Sequence, residues 1–237
     1  MSPPLFLVDE LPTGTEYRLA GPEGHHAADV QRLRVGEALI LADGRGTWAG
    51  ARVAAVAKGA LQVHIEKLES FERSRPGLTV VQGIAKGERG ELAVQAMTEA
   101  GVDTIVPWPA ARSVARWKDE RPLERWRATA REAAKQARRP WLPTVTAPEP
   151  TVAVARRLAA GDFVLHEEAT RRLATVELPD RDTFTLVIGP EGGIAPEELA
   201  AFEAADAVAV RLGPSVLRTS TAGVAALAIL SARLGRW

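Results

Sequence analysis

Residues Leu186–Glu198 read LVIGPEGGIAPEE. An apolar strand runs into Gly189-Pro190-Glu191-Gly192-Gly193, and a helix opens near Pro196, where proline's fixed φ suits a first turn. Glycines at the carboxyl end of a strand let the main chain approach a ligand with no Cβ in the way. In open α/β sheets, ligands collect at that end. The segment lacks the Lys-Ser/Thr of a P-loop and is not Gly-x-Gly-x-x-Gly, so ordinary phosphate cradles are disfavoured. Read by itself, it is equally a tight strand-to-helix turn.

Val208–Gly223, VAVRLGPSVLRTSTAG, repeats the arrangement: a strand over Val208–Leu212, then Gly213-Pro214, then a helix start rich in Thr and Ser. Two Gly-Pro loops at the ends of two strands can form opposite walls of one pocket. Arg218 opens an otherwise apolar helix, where a cation opposes the helix macrodipole, so its presence asks for a reason. A solvated surface arginine is the plain alternative.

Around these loops the chain alternates strand and helix. Strands are predicted at Leu78–Ala85, Thr104–Trp108, Phe163–His166 and Thr183–Ile188. Helices are predicted at Glu88–Ala100, Leu123–Arg138, Thr151–Ala160, Pro196–Ala205 and Thr219–Leu234. Continuous apolar strands between helices predict a parallel sheet with helices on both faces. Before them, Leu5–Val8, Ala38–Ala42, Trp48–Val56 and Leu61–Leu68 read as short strands broken by glycine turns, with a helical interlude at His25–Leu33. A small antiparallel barrel is the expected closure. Ser70–Gly77 reads as the linker, giving domains at 1–72 and 73–237. His25 and His26, without a partner acid at a telling spacing, read as a helix-start feature rather than a catalytic pair.

At 237 residues, 46% hydrophobic and 25% charged, the chain has material for a true core. It holds no cysteine, which excludes a disulfide framework or thiolate chemistry, and no metal-ligand spacing is visible. Nothing at the N-terminus reads as a signal peptide, and Ala222–Leu230 is too short an apolar run to span a bilayer. A cytoplasmic protein is expected. The net charge is zero, yet Arg112–Arg139 holds ten Lys/Arg against four acids. Such asymmetry points to a local anionic partner. On a helical wheel Leu123, Trp126, Ala130, Ala134 and Ala137 share one face, and Arg127, Arg131, Lys135 and Arg138 an adjacent stripe, with Arg139 following. Four of the six tryptophans (Trp108, Trp117, Trp126, Trp141) lie nearby. Interleaved cations and aromatics suit RNA phosphates and bases; a solvated helix face is the alternative.

Both Gly-Pro segments resemble the RsmE family of SPOUT methyltransferases, marked by a Gly-Pro-Glu-Gly-Gly loop followed by Leu-Gly-x-x-Ile/Val-Leu-Arg-Thr-x-Thr-Ala. The resemblance extends to His25/His26 through Arg32, Arg34 and Gly36, to Lys86-Gly87-Glu88 through Gly101-Val102, and to Glu132-Ala133-Ala134-x-Gln136 with Arg138-Arg139. The chain departs from the family pattern at Ala96, often lysine, and at Ser220, often an acid.

The resemblance implies a PUA-like β-barrel ahead of an α/β SPOUT domain tied in a trefoil knot, a homodimer joined in part by the last helix, and S-adenosyl-L-methionine as cofactor. It implies methylation of N3 of a uridine in 16S rRNA, either free or in the 30S particle. The residues suited to the cofactor are Leu165, His166, Glu167, Ile188, Gly189, Pro190, Gly192, Leu212, Gly213, Leu217, Thr219 and Ala222. Arg218 is the first choice for stabilising charge at the uracil oxygens, and Glu191 the second as proton acceptor or cofactor ligand. RNA contacts are expected from Arg32, Arg34, Arg127, Arg131, Lys135, Arg138 and Arg139. No metal is required. The alternatives are a non-catalytic RNA-binding or ribosome-assembly factor on the same fold, which has no need of a narrow cofactor pocket, and a small-molecule enzyme using a nucleotide.

Overall fold

The computed structural model describes residues 3–237, and the chain divides into two units. The first comprises residues 1–73 together with 134–142; the second comprises 74–133 and 143–237.

In the first unit, β1 (Leu5–Leu7), β2 (Glu16–Leu19), β3 (Ala38–Ala42), β4 (Thr47–Ala57) and β5 (Ala60–Ser70) form one sheet in the order β1-β3-β4-β5-β2. Leu39 and Leu41, Ala49, Ala51 and Val53, and Leu61 and Val63 alternate inward with Phe6 and Leu19, as the two-residue period of a half-buried sheet requires. The sheet is not purely antiparallel. β1 pairs in parallel with β3 through Leu5↔Ile40, which the long connection between them permits. β2, reading Glu-Tyr-Arg-Leu, has only Leu19 buried and carried no apolar alternation to predict it. The helical interlude begins earlier than expected, as α1 (Gly21–His25), and continues as a π-type turn over His26–Val30. There His25 Nδ1 meets Asp29 at 2.7 Å, one turn along the helix.

The second unit is a six-stranded parallel sheet. Its strands are β6 (Gly77–Gly83), β7 (Thr104–Trp108), β8 (Thr144–Val145), β9 (Phe163–Leu165), β10 (Thr183–Ile188) and β11 (Val208–Val210), ordered β11-β9-β10-β6-β7-β8. Its strands are mostly apolar because each face is covered. Leu78, Val80, Phe184, Leu186 and Ile188 pack on α2 (Arg89–Glu99), α3 (Arg121–Gln136) and α6 (Thr219–Arg233). Val81, Val106, Val164 and Val187 pack on α4 (Thr151–Arg157) and α5 (Pro196–Glu203). Each such side chain contributes about 1.5–3 kcal/mol of burial.

One helix face differs from expectation, and a second is set by small residues. On α3, Leu123, Trp126, Ala130 and Ala134 are buried, but the helix ends at Gln136 and Ala137 is exposed. On α6 the buried stripe is Ala222, Gly223, Ala226, Leu227 and Leu230, packed on α2, whereas Val224 and Leu234 are only half-buried. Small residues set that face because α6 runs close to its neighbours; a Cβ on Gly223 would lie 2.6 Å from Met97 Sδ.

Asp162, just before β9, is wholly buried and ties two strand starts. It accepts from the Thr185 amide at 2.7 Å and the Ala159 amide at 2.9 Å, with Arg181 at 3.2 Å. Burial pushes its carboxyl above the usual range, against the pull of those two amides and the guanidinium. No helix among the described residues is long and apolar enough to cross a membrane.

Candidate active site

β11, β9 and β10 are neighbours, so their carboxyl ends open side by side, and a cavity of about 790 Å³ lies there. β9 delivers Leu165, His166, Glu167 and Glu168 to it. The loop after β10 delivers Ile188 through Ile194. The loop after β11 delivers Leu212 through Thr219, and α6 adds Ala222. The two Gly-Pro loops therefore enclose one space. All of the residues assigned to the cofactor from sequence line it, as do Arg218 and Glu191.

The loop after β10 is tightly held. Gly83, ending β6, lies so close to it that a Cβ would stand 2.5 Å from the Pro190 nitrogen. Glu191 Oε1 accepts from the Lys86 amide at 3.1 Å and from Arg89 Nη1 at 3.2 Å. Beyond the loop, Glu198 is buried at the start of α5 and accepts from the amides of Ala111 and Ala195 and from Thr151 Oγ1. Thr219 Oγ1 donates to the Gly189 carbonyl at 2.8 Å and receives Gln82 Nε2, also at 2.8 Å.

The loop after β11 is open. A Cβ on Gly213 would meet no atom within 4 Å, and Val216 is 76% exposed. Arg218 is the N-cap residue of α6. Its carbonyl accepts from the amides of Thr221 and Ala222, and its side chain is exposed. Ser220, at the position of family departure, is buried in the first turn of α6 and does not line the cavity.

Residues 72–231 match the family model for an RNA methyltransferase domain, and residues 19–66 match that for an RNA methyltransferase PUA domain. The ribosomal RNA small subunit methyltransferase E of Mycobacterium bovis is 46% identical, over 98% of this chain and 93% of that protein. The chain belongs to the RNA methyltransferase family. The Bacillus subtilis member of the same name is 30% identical over 94% of this chain and 91% of its own length. Among solved structures, a ribosomal RNA small subunit methyltransferase E from Neisseria gonorrhoeae bound to S-adenosyl methionine matches with a TM-score of 0.88 and 25% identity, covering 98% of each chain.

In this RNA methyltransferase the cations singled out from sequence fall into different surroundings. Arg32 and Arg34 are exposed in the first unit, Arg32 with a left-handed φ of 56°. Arg127 Nε donates to the Val145 carbonyl at 3.2 Å, and Arg131 is half-buried. Lys135 Nζ lies 2.9 Å from Glu23 Oε1, with the lysine side chain only 11% exposed. Arg138, at φ 52°, helps end α3 and is exposed, while Arg139 is half-buried. The tryptophans are structural. Trp108 is buried against Phe202, and Trp126 is buried edge-on to Trp117 at 5.1 Å. Trp141 donates to the Phe71 carbonyl beneath the guanidinium of Arg73. The aromatic half of the expected interleaving is thus occupied with packing.

Among the residues that sequence reasoning missed are Glu168, which follows Glu167 into the lining, and Arg89, Arg112 and Gln82. Arg89 and Arg112 line the cavity, Arg112 reaching the Gly192 carbonyl at 3.4 Å. Arg89 stands beside the Lys86-Gly87-Glu88 segment, so its place was within reach; Arg112 was submerged in the basic run. Gln82, a lone amide in an apolar strand, was the signal left unread.

Proposed function

We propose that the chain transfers the methyl group of S-adenosyl-L-methionine to N3 of one uridine in 16S rRNA. The observation that carries this is one cavity walled by both Gly-Pro loops, with exposed Arg218 in its lining. The residues fit the cofactor. Leu165, Ile188, Leu212, Leu217 and Ala222 offer apolar walls to an adenine, and the carboxylates of Glu167 and Glu168 suit a cationic ligand. Gly213 brings no side chain to this lining, and a Cβ there would meet no atom within 4 Å. His166, Gly189, Pro190, Gly192, Gly213 and Thr219 complete the lining. When bound, the cofactor supplies an electrophilic methyl group on a positively charged sulfur.

A neutral uridine N3 is a weak nucleophile and must lose its proton as it reacts, so negative charge builds on the uracil oxygens. Arg218, whose planar guanidinium offers several donors, is the group that meets that charge. Two donors already hold one oxygen of Glu191, so we assign it to fastening the loop rather than to removing the proton. Arg32, Arg34, Arg127, Arg131, Arg138 and Arg139 are proposed to contact RNA phosphates. Lys135 is left out because its ammonium faces Glu23. The reading carries with it a knotted second domain, a homodimer and work in the cytoplasm, where ribosomes are assembled.

Purified protein with labelled cofactor is expected to methylate small-subunit rRNA lacking the modification, as naked RNA or as 30S particles. Mass spectrometry of the product would locate the methyl on uridine N3. No transfer to either substrate sinks the enzyme reading and leaves a binding factor.

A further inference from the structure

Gln82 is fully buried near the end of β6, does not line the cavity, and has no part in the chemistry above. Its Nε2 donates to Thr219 Oγ1, which donates to the Gly189 carbonyl. A carbonyl can only accept, so the one hydroxyl proton of Thr219 is committed to Gly189. The hydroxyl oxygen must then receive a donor, which turns the amide nitrogen of Gln82 toward it. The same nitrogen also donates to the Gly83 carbonyl at 3.2 Å. Its Oε1 is buried with no partner among the described residues. Leucine would fill a similar volume without stranding an acceptor, so stability alone does not favour glutamine here. What leucine cannot do is donate a hydrogen bond to Thr219.

The relay joins three elements at the point where they form the site: the end of β6, the loop after β10, and the first residue of α6. Thr219 follows Arg218 directly, so whatever fixes Thr219 against Gly189 also fixes the root of the Arg218 side chain. We propose that Gln82 is a positioning residue for methyl transfer, holding Arg218 at a set distance from the Gly189–Gly192 wall through Thr219. This rests on the reading of the cavity given above.

The test compares Gln82→Leu, Thr219→Val, their double variant and the conservative Thr219→Ser by steady-state kinetics and cofactor calorimetry. Gln82→Leu and Thr219→Val are each expected to lower kcat about tenfold while KM moves less than about threefold, because misplacement acts on the transition state. The double variant should fall no further than either single one, and Thr219→Ser should keep kcat within about twofold. Unchanged kcat in the folded single variants, or losses that multiply in the double variant, would overturn the proposal. If the wild-type chain methylates no rRNA, the function fails separately. Hydrogen exchange of the free chain then still decides the tie. Gln82→Leu must speed exchange in the loops after β10 and β11 together, and no change in either overturns it.

Discussion

The two loops that wall the cavity are built in opposite ways. The loop after β10 is pressed by Gly83, pinned through Glu191, and anchored beyond its end by buried Glu198. The loop after β11 presents Gly213 to empty space and leaves Val216 and the Arg218 side chain exposed. A site that must hold one molecule while another comes and goes benefits from such a division. The fastened wall is held by contacts within the chain, and the open wall carries the exposed Arg218. Preorganisation on one side lowers the cost of binding, and freedom on the other admits a large substrate.

The sharpest way to break this contrast is Arg218→Ala. It is expected to lower kcat by roughly 10²–10³, as loss of a charge-stabilising donor does, while calorimetric cofactor affinity stays nearly constant. Equal losses in both would move Arg218 to the fastened side. Next comes Gly83→Ala, whose Cβ would strike Pro190. Overpacking of that kind costs about 1–3 kcal/mol, readable in denaturant unfolding. The matched change Gly213→Ala meets no atom and should leave unfolding unaltered while weakening cofactor binding. If both glycines tolerated alanine alike, the two walls would not differ. Glu191→Gln keeps an acceptor for the Lys86 amide but loses the charge facing half-exposed Arg89, so it should cost less than about 1 kcal/mol.

The smallest effect concerns pH, beneath the cavity. The raised carboxyl of Asp162 means the folded chain holds that proton more tightly than the unfolded chain. Its contribution to stability is therefore complete below the ordinary carboxylate value. It is lost as pH rises from there through the raised folded value. Asp162→Asn removes this slope, so its destabilisation, measured by unfolding at several acidic pH values, should shrink as pH rises through that window. A penalty independent of pH would show that burial does not govern this group.

The sheet of the second unit was legible because apolar strands buried on both faces leave a continuous signal, and Thr104–Trp108 and Thr183–Ile188 were bounded correctly. β2 and β8 were not: one is mostly exposed and charged, the other only two residues long, so neither has a pattern to read. The parallel β1–β3 pair was invisible for another reason, since local periodicity says nothing about which distant strand becomes a neighbour. Both Gly-Pro loops could be placed at strand ends from sequence. That they share one cavity depends on β9 lying between β10 and β11, which no spacing encodes. Trp126 was placed correctly on the apolar face of its helix, but Trp108, Trp117 and Trp141 misled because aromatic residues serve packing and stacking with the same side chain, and burial alone separates the two uses.

Residues 134–142 return to the first unit after sixty residues spent in the second. Within that return Trp141 packs so closely on Gly46 that a Cβ there would lie 2.3 Å from the indole, and Lys135 meets Glu23. A fragment ended at the apparent linker would expose the niche for the indole and remove Lys135 from the largely buried Glu23. Any dissection of this chain for separate study must carry those nine residues along or graft them back.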